Sequence, residues 1–133
     1  VFYALKAFFL NHAANKGNLD LQFIPYTEVQ ADVAGGTVLL TGAARLYFAY
    51  AKKENSATDN ITFFYDDATD DTTDANARIG LSVLEANESC WVSYPNGMPL
   101  ATGIVVTQYT SASGLGKADG SNGANGFVIV GAA

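Results

Sequence analysis

Glycine, proline and asparagine break this chain roughly every dozen residues, and the apolar runs between the breaks are short and rich in β-branched and aromatic side chains. Such runs suit half-buried strands and are too brief for stable helices. The pattern predicts strands over Leu19–Ile24, Thr37–Thr41, Arg45–Lys52, Asn60–Tyr65, Arg78–Leu84, Ser89–Tyr94, Gly103–Tyr109 and Phe127–Val130. Val1–Asn11 fits either a helical stripe or one strand face, and its aromatics favour a strand. Pro25 should end the first strand. Pro95-Asn96-Gly97-Met98-Pro99 should form a corner with Gly97 at positive φ. Lys52-Lys53-Glu54-Asn55 reads as a solvated turn, and Ser111–Gly126 as a flexible glycine-rich loop. Within Arg45–Lys52, Leu46, Phe48 and Tyr50 alternate with Tyr47, Ala49 and Ala51, so both faces are apolar. A strand of that kind is buried on both sides or covered by a neighbouring subunit.

The expected fold is therefore all-β: one antiparallel β-sandwich or jelly-roll-like domain of about eight or nine short strands, spanning residues 1–133. A chain of this length can bury a core without staples. Charged residues make up only 15% of it, well under the usual share of about 25%, which leaves apolar surface to hide against a partner. The net charge is −6 and the seven basic residues form no stripe, which opposes nucleic-acid binding. No apolar run approaches the ~20 residues of a membrane-spanning helix. Val1–Leu10 is apolar but short, carries Lys6 and precedes no small-residue cleavage pattern, so it does not read as a signal peptide. The missing initial methionine suggests a processed or trimmed start.

Site chemistry is sparse. Asp66, Asp67, Asp70, Asp71 and Asp74 place five carboxylates within nine residues, the arrangement a hard cation with oxygen ligands would favour. A calcium loop opened at Asp66 would need glycine sixth and glutamate twelfth, where Asp71 and Ala77 stand. The expected reading is a solvated, outward-facing loop whose carboxylates titrate normally. With one cysteine and one histidine there is no Cys/His zinc set and no intrachain disulfide. Cys90 reads as a small core hydrophobe and His12 as a surface residue. Gly80–Leu84 fails the nucleophile-elbow pattern at its last position. Gly114-Leu115-Gly116-Lys117 fails the phosphate-loop pattern, with Ser111 in place of the first glycine and Ala118 in place of Ser/Thr. Asn60-Ile61-Thr62 and Asn87-Glu88-Ser89 are glycosylation triplets at chance frequency. No cofactor and no enzyme chemistry is expected. Trp91 reads as a core or interface anchor. Tyr3, Tyr26, Tyr47, Tyr50, Tyr65, Tyr94 and Tyr109 could join it as a sugar-stacking platform, though tyrosine equally serves protein interfaces.

The strand Leu46-Tyr47-Phe48-Ala49-Tyr50 is followed by an Ala/Thr/Asp-rich loop and the strand Ile79-Gly80-Leu81. Then comes Tyr94-Pro95-Asn96-Gly97-Met98-Pro99-Leu100-Ala101-Thr102-Gly103-Ile104, and Phe127–Val130 closes the series. This order of strand and turn types over Ala43–Val130 resembles small phage head proteins that decorate or cement a capsid. The resemblance implies a β-sandwich on the virion surface, bound to the major capsid protein, usually as a trimer between capsomers. It implies no catalytic residue. Val1–Gly42, the expected attachment segment, departs from the pattern. The alternative is a receptor-binding or fibre module contacting host glycans through exposed tyrosines.

Overall fold

The computed structural model describes residues 3–6, 21–27, 36–53, 60–69, 77–83, 88–109 and 124–133. Its eight strands are β1 (Leu21–Tyr26), β2 (Thr37–Thr41), β3 (Ala44–Lys53), β4 (Asn60–Tyr65), β5 (Ala77–Val83), β6 (Ser89–Leu100), β7 (Gly103–Tyr109) and β8 (Ala124–Ala132). They form two four-stranded sheets, β1-β8-β3-β6 and β2-β7-β4-β5, and every pairing is antiparallel. First pairs with last, second with seventh, third with sixth and fourth with fifth. The chain is thus one long hairpin folded over on itself, joined by the β8–β3 and β7–β4 ladders. That order is a jelly roll.

The core lies between the sheets. Leu46, Ala49 and Ala51 of β3, with Val128 and Val130 of β8, face Phe64, Ile79, Leu81, Ile104 and Val106 of the second sheet. Tyr26 reaches across this layer, its ring edge-on to Phe64 with centroids 5.8 Å apart. Its hydroxyl donates to the Tyr50 carbonyl oxygen at 2.8 Å. Burial, opposed in part by a hydrogen bond with Thr62, pushes the Tyr26 phenol well above its ordinary pKa, so it stays a donor. Cys90 is half-buried and packs against this core, as expected of a small hydrophobe.

The strands at Thr37–Thr41, Asn60–Tyr65 and Gly103–Tyr109 match the sequence expectation end to end. Five local expectations fail. Residues 3–6 are one helical turn rather than a strand; Ala4 and Leu5 rest on the outside of the first sheet. Pro25 does not end β1; it pairs with Phe127. Because β1 is a sheet edge, a missing N–H there breaks no ladder on the open side. Lys53 does not lie in a solvated turn; it is a fully buried end of β3, its amide donating to the Glu88 carbonyl at 3.1 Å.

The fourth difference is at the expected corner. β6 runs unbroken through Pro95 and Pro99, and the chain turns later, at Ala101-Thr102. Leu46 pairs with Met98 and Phe48 with Ser93, so Tyr94, Pro95, Asn96 and Gly97 together face the single residue Tyr47. This wide bulge on an edge strand accommodates the prolines without ending the ladder. Arg45 ties it down, donating from Nη1 to the Gly97 carbonyl at 3.1 Å and the Asn96 carbonyl at 3.4 Å. Gly97 has φ 74°, the positive value expected. A Cβ there would stand 2.9 Å from Arg45 Cβ and 3.0 Å from the Tyr47 ring. Gly97→Val is therefore expected to cost about 1–3 kcal/mol, beyond a surface change of ±0.5. A denaturation midpoint equal to wild type would show that the bulge tolerates a side chain.

The fifth is the phase of β3. Against β8, Leu46 pairs with Val130 and Phe48 with Ile129, which leaves Tyr47 as an extra residue. One extra residue flips the faces beyond it. Leu46, Ala49 and Ala51 thus point inward, and Tyr47 and Phe48 form a separate outer cluster with Ile129. The two apolar faces of β3 are real, but Leu46 and Phe48 do not share one.

Candidate functional site

The outer face of the β1-β8-β3-β6 sheet is aromatic from edge to edge. Phe23 of β1 meets Phe127 of β8 with ring centroids 4.7 Å apart. Phe127 lies 5.9 Å from Phe48 and 5.0 Å from Tyr50, both on β3. Phe48 stacks on Trp91 of β6 at 5.5 Å, with ring planes only 13° apart. The register explains the alignment, because Tyr50 faces both Trp91 and Phe127, and Phe23 faces Ile129 beside Phe127. Each partner sits across a strand pair on the same face, where such contacts add about 0.2–1 kcal/mol apiece.

Phe48 at the centre of this ladder is closed, Tyr50 and Phe127 are half-buried, and the two ends are open. Phe48 is 0% exposed, whereas Trp91 is 44% and Phe23 57% exposed. Trp91 is thus not a core residue; it has a stacked inner side and a wet outer one. Phe48 lies near-parallel to both Trp91 and Phe127, at 13° and 11°, whereas Phe23 and Tyr50 are inclined to Phe127 by 31° and 29°. Nearby, the helical turn of residues 3–6 covers part of the Tyr47–Phe48–Ile129 cluster through Ala4 and Leu5, while Tyr3 stands out at 85% exposure.

The described tyrosines do not gather on one exposed face as a sugar platform would require. Tyr26 is in the core, Tyr47 and Tyr65 are buried, and Tyr50 and Tyr94 are half-buried. Tyr109's side chain lies outside the described residues. The phenylalanines at 23, 48 and 127 carry the ladder instead. Their positions in three separate strands give no local signal, although the apolar outer side of β3 hinted at a covered face.

Asp66 is likewise not an outward-facing loop residue. Its side chain is only 7% exposed and turns back onto the β6–β7 turn. Oδ2 accepts from the Ala101 amide at 2.9 Å, and Oδ1 from the Thr102 amide and hydroxyl at 2.8 and 2.9 Å. The Gly103 amide adds a longer contact of 3.4 Å, and the Arg78 guanidinium lies 3.7 Å from Oδ2. At the same end of the sandwich the Gly42 amide donates to the Thr102 carbonyl at 2.7 Å, so three turns are tied together. Asp67 closes its own loop, accepting from the Ala68 and Thr69 amides at 2.7 and 3.0 Å. These two carboxylates are turn-forming groups with their oxygens engaged. Asp70, Asp71 and Asp74 lie outside the described residues, as do His12, Ser111, Lys117 and Ala118. Among the described residues no three His, Cys, Asp or Glu side chains cluster to hold a metal ion.

Burial alone would raise the Asp66 pKa, but the donors of Ala101, Thr102 and Gly103 outweigh it and hold the carboxyl below the usual range. A depressed folded-state pKa contributes stability that is complete above the unfolded value and lost as pH falls through the folded one. Asp66→Asn is expected to cost about 1–2 kcal/mol at neutral pH, since water can reach the exposed amides of Ala101 and Thr102. It should also flatten the fall in melting temperature below about pH 4. An acid limb identical to wild type would remove Asp66 from this role.

A cleft of about 250 Å³ opens between the β1 and β2 edges, where Gln22 and Thr41 are its polar side chains among Leu21, Leu40 and Val130. It holds no carboxylate, imidazole or thiol. Comparison with protein-family models, curated proteins and solved structures returned no match.

Proposed function

We propose that this chain is a structural virion protein that decorates or cements a phage capsid, docking the aromatic face of its β1-β8-β3-β6 sheet onto the major capsid protein. The observation that carries the reading is that face itself: a ladder of five rings across four strands, with Trp91 and Phe23 left wet at its ends. Half-exposed aromatic groups of this size are what interfaces use as anchors, and 15% charge over the chain is low for a surface meant only for water. A jelly roll alone argues for no particular role. The order of strand and turn types over Ala43–Val130 resembles that of capsid-decorating proteins, and that likeness supports the choice of partner. The net charge of −6 would keep decorated particles apart by mutual repulsion.

Co-sedimentation with heads assembled from the major capsid protein of the same source tests the reading. Saturable binding to assembled heads, with no hits on a glycan array, is the expected result. Glycan binding without head association would favour a receptor-binding module instead.

A further inference from the structure

We propose that Asn96-Gly97 is a self-modification site, where the Gly97 amide nitrogen attacks the Asn96 side chain and converts it to aspartate and isoaspartate. The inference concerns the bulge of β6 and does not depend on the capsid partner. Asparagine followed by glycine suits this reaction best, because no Cβ shields the attacking nitrogen or restricts its approach. The sequence holds such a pair at Asn96-Gly97, at Asn122-Gly123 and at Asn125-Gly126. Asn122-Gly123 lies outside the described residues, and the fold sets the other two apart.

The step needs only water and hydroxide. The Gly97 nitrogen, its proton lost to hydroxide, bonds to the Asn96 side-chain carbon Cγ. The Cγ–Nδ2 bond breaks, and Nδ2 leaves as ammonia after taking a proton from water. Water then adds to either carbonyl carbon of the cyclic imide. Breaking the bond between Cγ and nitrogen gives aspartate, and breaking the original main-chain bond gives isoaspartate. The net change consumes one water and releases one ammonia, with nothing oxidised or reduced.

Ring closure requires a side chain and a peptide that can turn toward each other. Asn96 is exposed, and neither Asn96 nor Gly97 has a register partner on β3, because both lie in the bulge. Arg45 adds a second factor. Its guanidinium donates to the Asn96 carbonyl at 3.4 Å and so draws electron density from the very peptide whose nitrogen must lose a proton. The bond to the Gly97 carbonyl at 3.1 Å holds that charge in place. Asn125-Gly126 has the opposite setting. Asn125 pairs with Lys52, and Gly126 pairs with both Ala51 and Tyr26, in a strand flanked on each side. A Cβ at Gly126 would already meet the Tyr50 carbonyl oxygen and the Tyr26 side chain, so this peptide cannot turn until β8 opens. Conversion at Asn96 sets a new carboxylate beside the Arg45 guanidinium, and isoaspartate also adds a main-chain carbon to the bulge.

Incubation of the folded chain at mildly alkaline pH, followed by peptide mass spectrometry, tests this. Tryptic cleavage after Arg78 and Lys117 places Asn96 in residues 79–117 and Asn125 in residues 118–133, where fragmentation separates it from Asn122. Amide-to-acid conversion is expected at least about tenfold faster at Asn96 than at Asn125, a ratio that an opening free energy of ~1.4 kcal/mol for β8 already imposes. The Asn96 rate should rise in proportion to hydroxide. In urea-unfolded chain the two pairs should convert at similar rates, which assigns the difference to the fold. Arg45→Gln should slow conversion at Asn96 by about threefold, the scale of one exposed charge contact, and Arg45→Lys should retain most of the rate. Circular dichroism checks that both variants fold. Equal rates at Asn96 and Asn125 in the folded chain would overturn the proposal, as would an Asn96 that stays intact while Asn125 converts. Faster conversion in both Arg45 variants would show the clamp restrains the bulge and would overturn the role given to its charge.

Discussion

Gly126→Ala is expected to lower the unfolding free energy by about 3 kcal/mol or more, far beyond an ordinary surface change. Gly126 lies on β8 opposite Ala51 of β3 and Tyr26 of β1. Tyr26 crosses directly over it to reach the Tyr50 carbonyl on the far strand. A Cβ at Gly126 would collide with that carbonyl oxygen and with the Tyr26 hydroxyl, and would stand 2.6 Å from the ring carbon Cζ. The ring could swing away, but the carbonyl belongs to the ladder between the two central strands of the sheet. Relief therefore requires either strand separation or loss of the Tyr26 hydrogen bond, and the phenol has no water nearby to replace it at 2% exposure. Urea denaturation should show a much lower midpoint with an unchanged slope. Gly80→Ala is the matched control: its nearest neighbour is the Phe63 ring at 3.0 Å, a side chain that can shift.

Gln108→Leu is expected to cost about 2–4 kcal/mol although it keeps the shape of the core and adds apolar surface. Gln108 is 1% exposed on β7, in the second sheet. Its side-chain amide donates to the Ala124 carbonyl at 2.8 Å, and its carbonyl accepts from the Ala124 amide at 2.9 Å. One side chain thus satisfies both backbone groups of the first residue of β8, across the sandwich. Leucine would leave a buried donor and a buried acceptor without partners, each costing about 1–3 kcal/mol. For a domain this size the melting temperature should fall by roughly 10 °C. The start of β8 should also exchange its amide hydrogens faster, because the clamp fixes the first residue of that strand. A fall of less than 2 °C would mean the pairing adds nothing to stability.

Both residues were silent in the sequence. Gly126 reads as the end of the glycine-rich loop Ser111–Gly126, whereas β8 already begins at Ala124, and a glutamine inside a β-branched run looks like a weakness until its partner is known. By contrast, Thr37–Thr41 and Gly103–Tyr109 were fully legible, since each is a short apolar run fenced by glycine or polar residues. The all-β sandwich followed from such runs alone. What local patterns could not show was which strands are edges. Pro25, Pro95 and Pro99 read as terminators because a central strand rejects proline; on β1 and β6, both edges, they are tolerated. The bulge at Tyr47 was hidden for a different reason. Both faces of β3 are apolar, so a one-residue phase shift leaves no trace in hydrophobicity. Asp66 was misread as a solvated loop residue because its acidic neighbours are visible locally, while the Ala101 amide it binds lies 35 residues on. The aromatic face was half legible. Trp91 stood out as an anchor, but the rings it joins come from three other strands and are aligned only by register.

Trp91 is the chain's only tryptophan and sits at one end of the ladder, so its fluorescence reports the aromatic face without labelling. In dilute solution of the isolated chain its emission should be that of a partly wet indole, open to quenching by acrylamide, as 44% exposure requires. On addition of assembled heads, emission should shift to the blue and acrylamide quenching should fall in proportion to the bound fraction. Binding that leaves both spectrum and quenching unchanged would place the contact elsewhere on the protein and contradict the account.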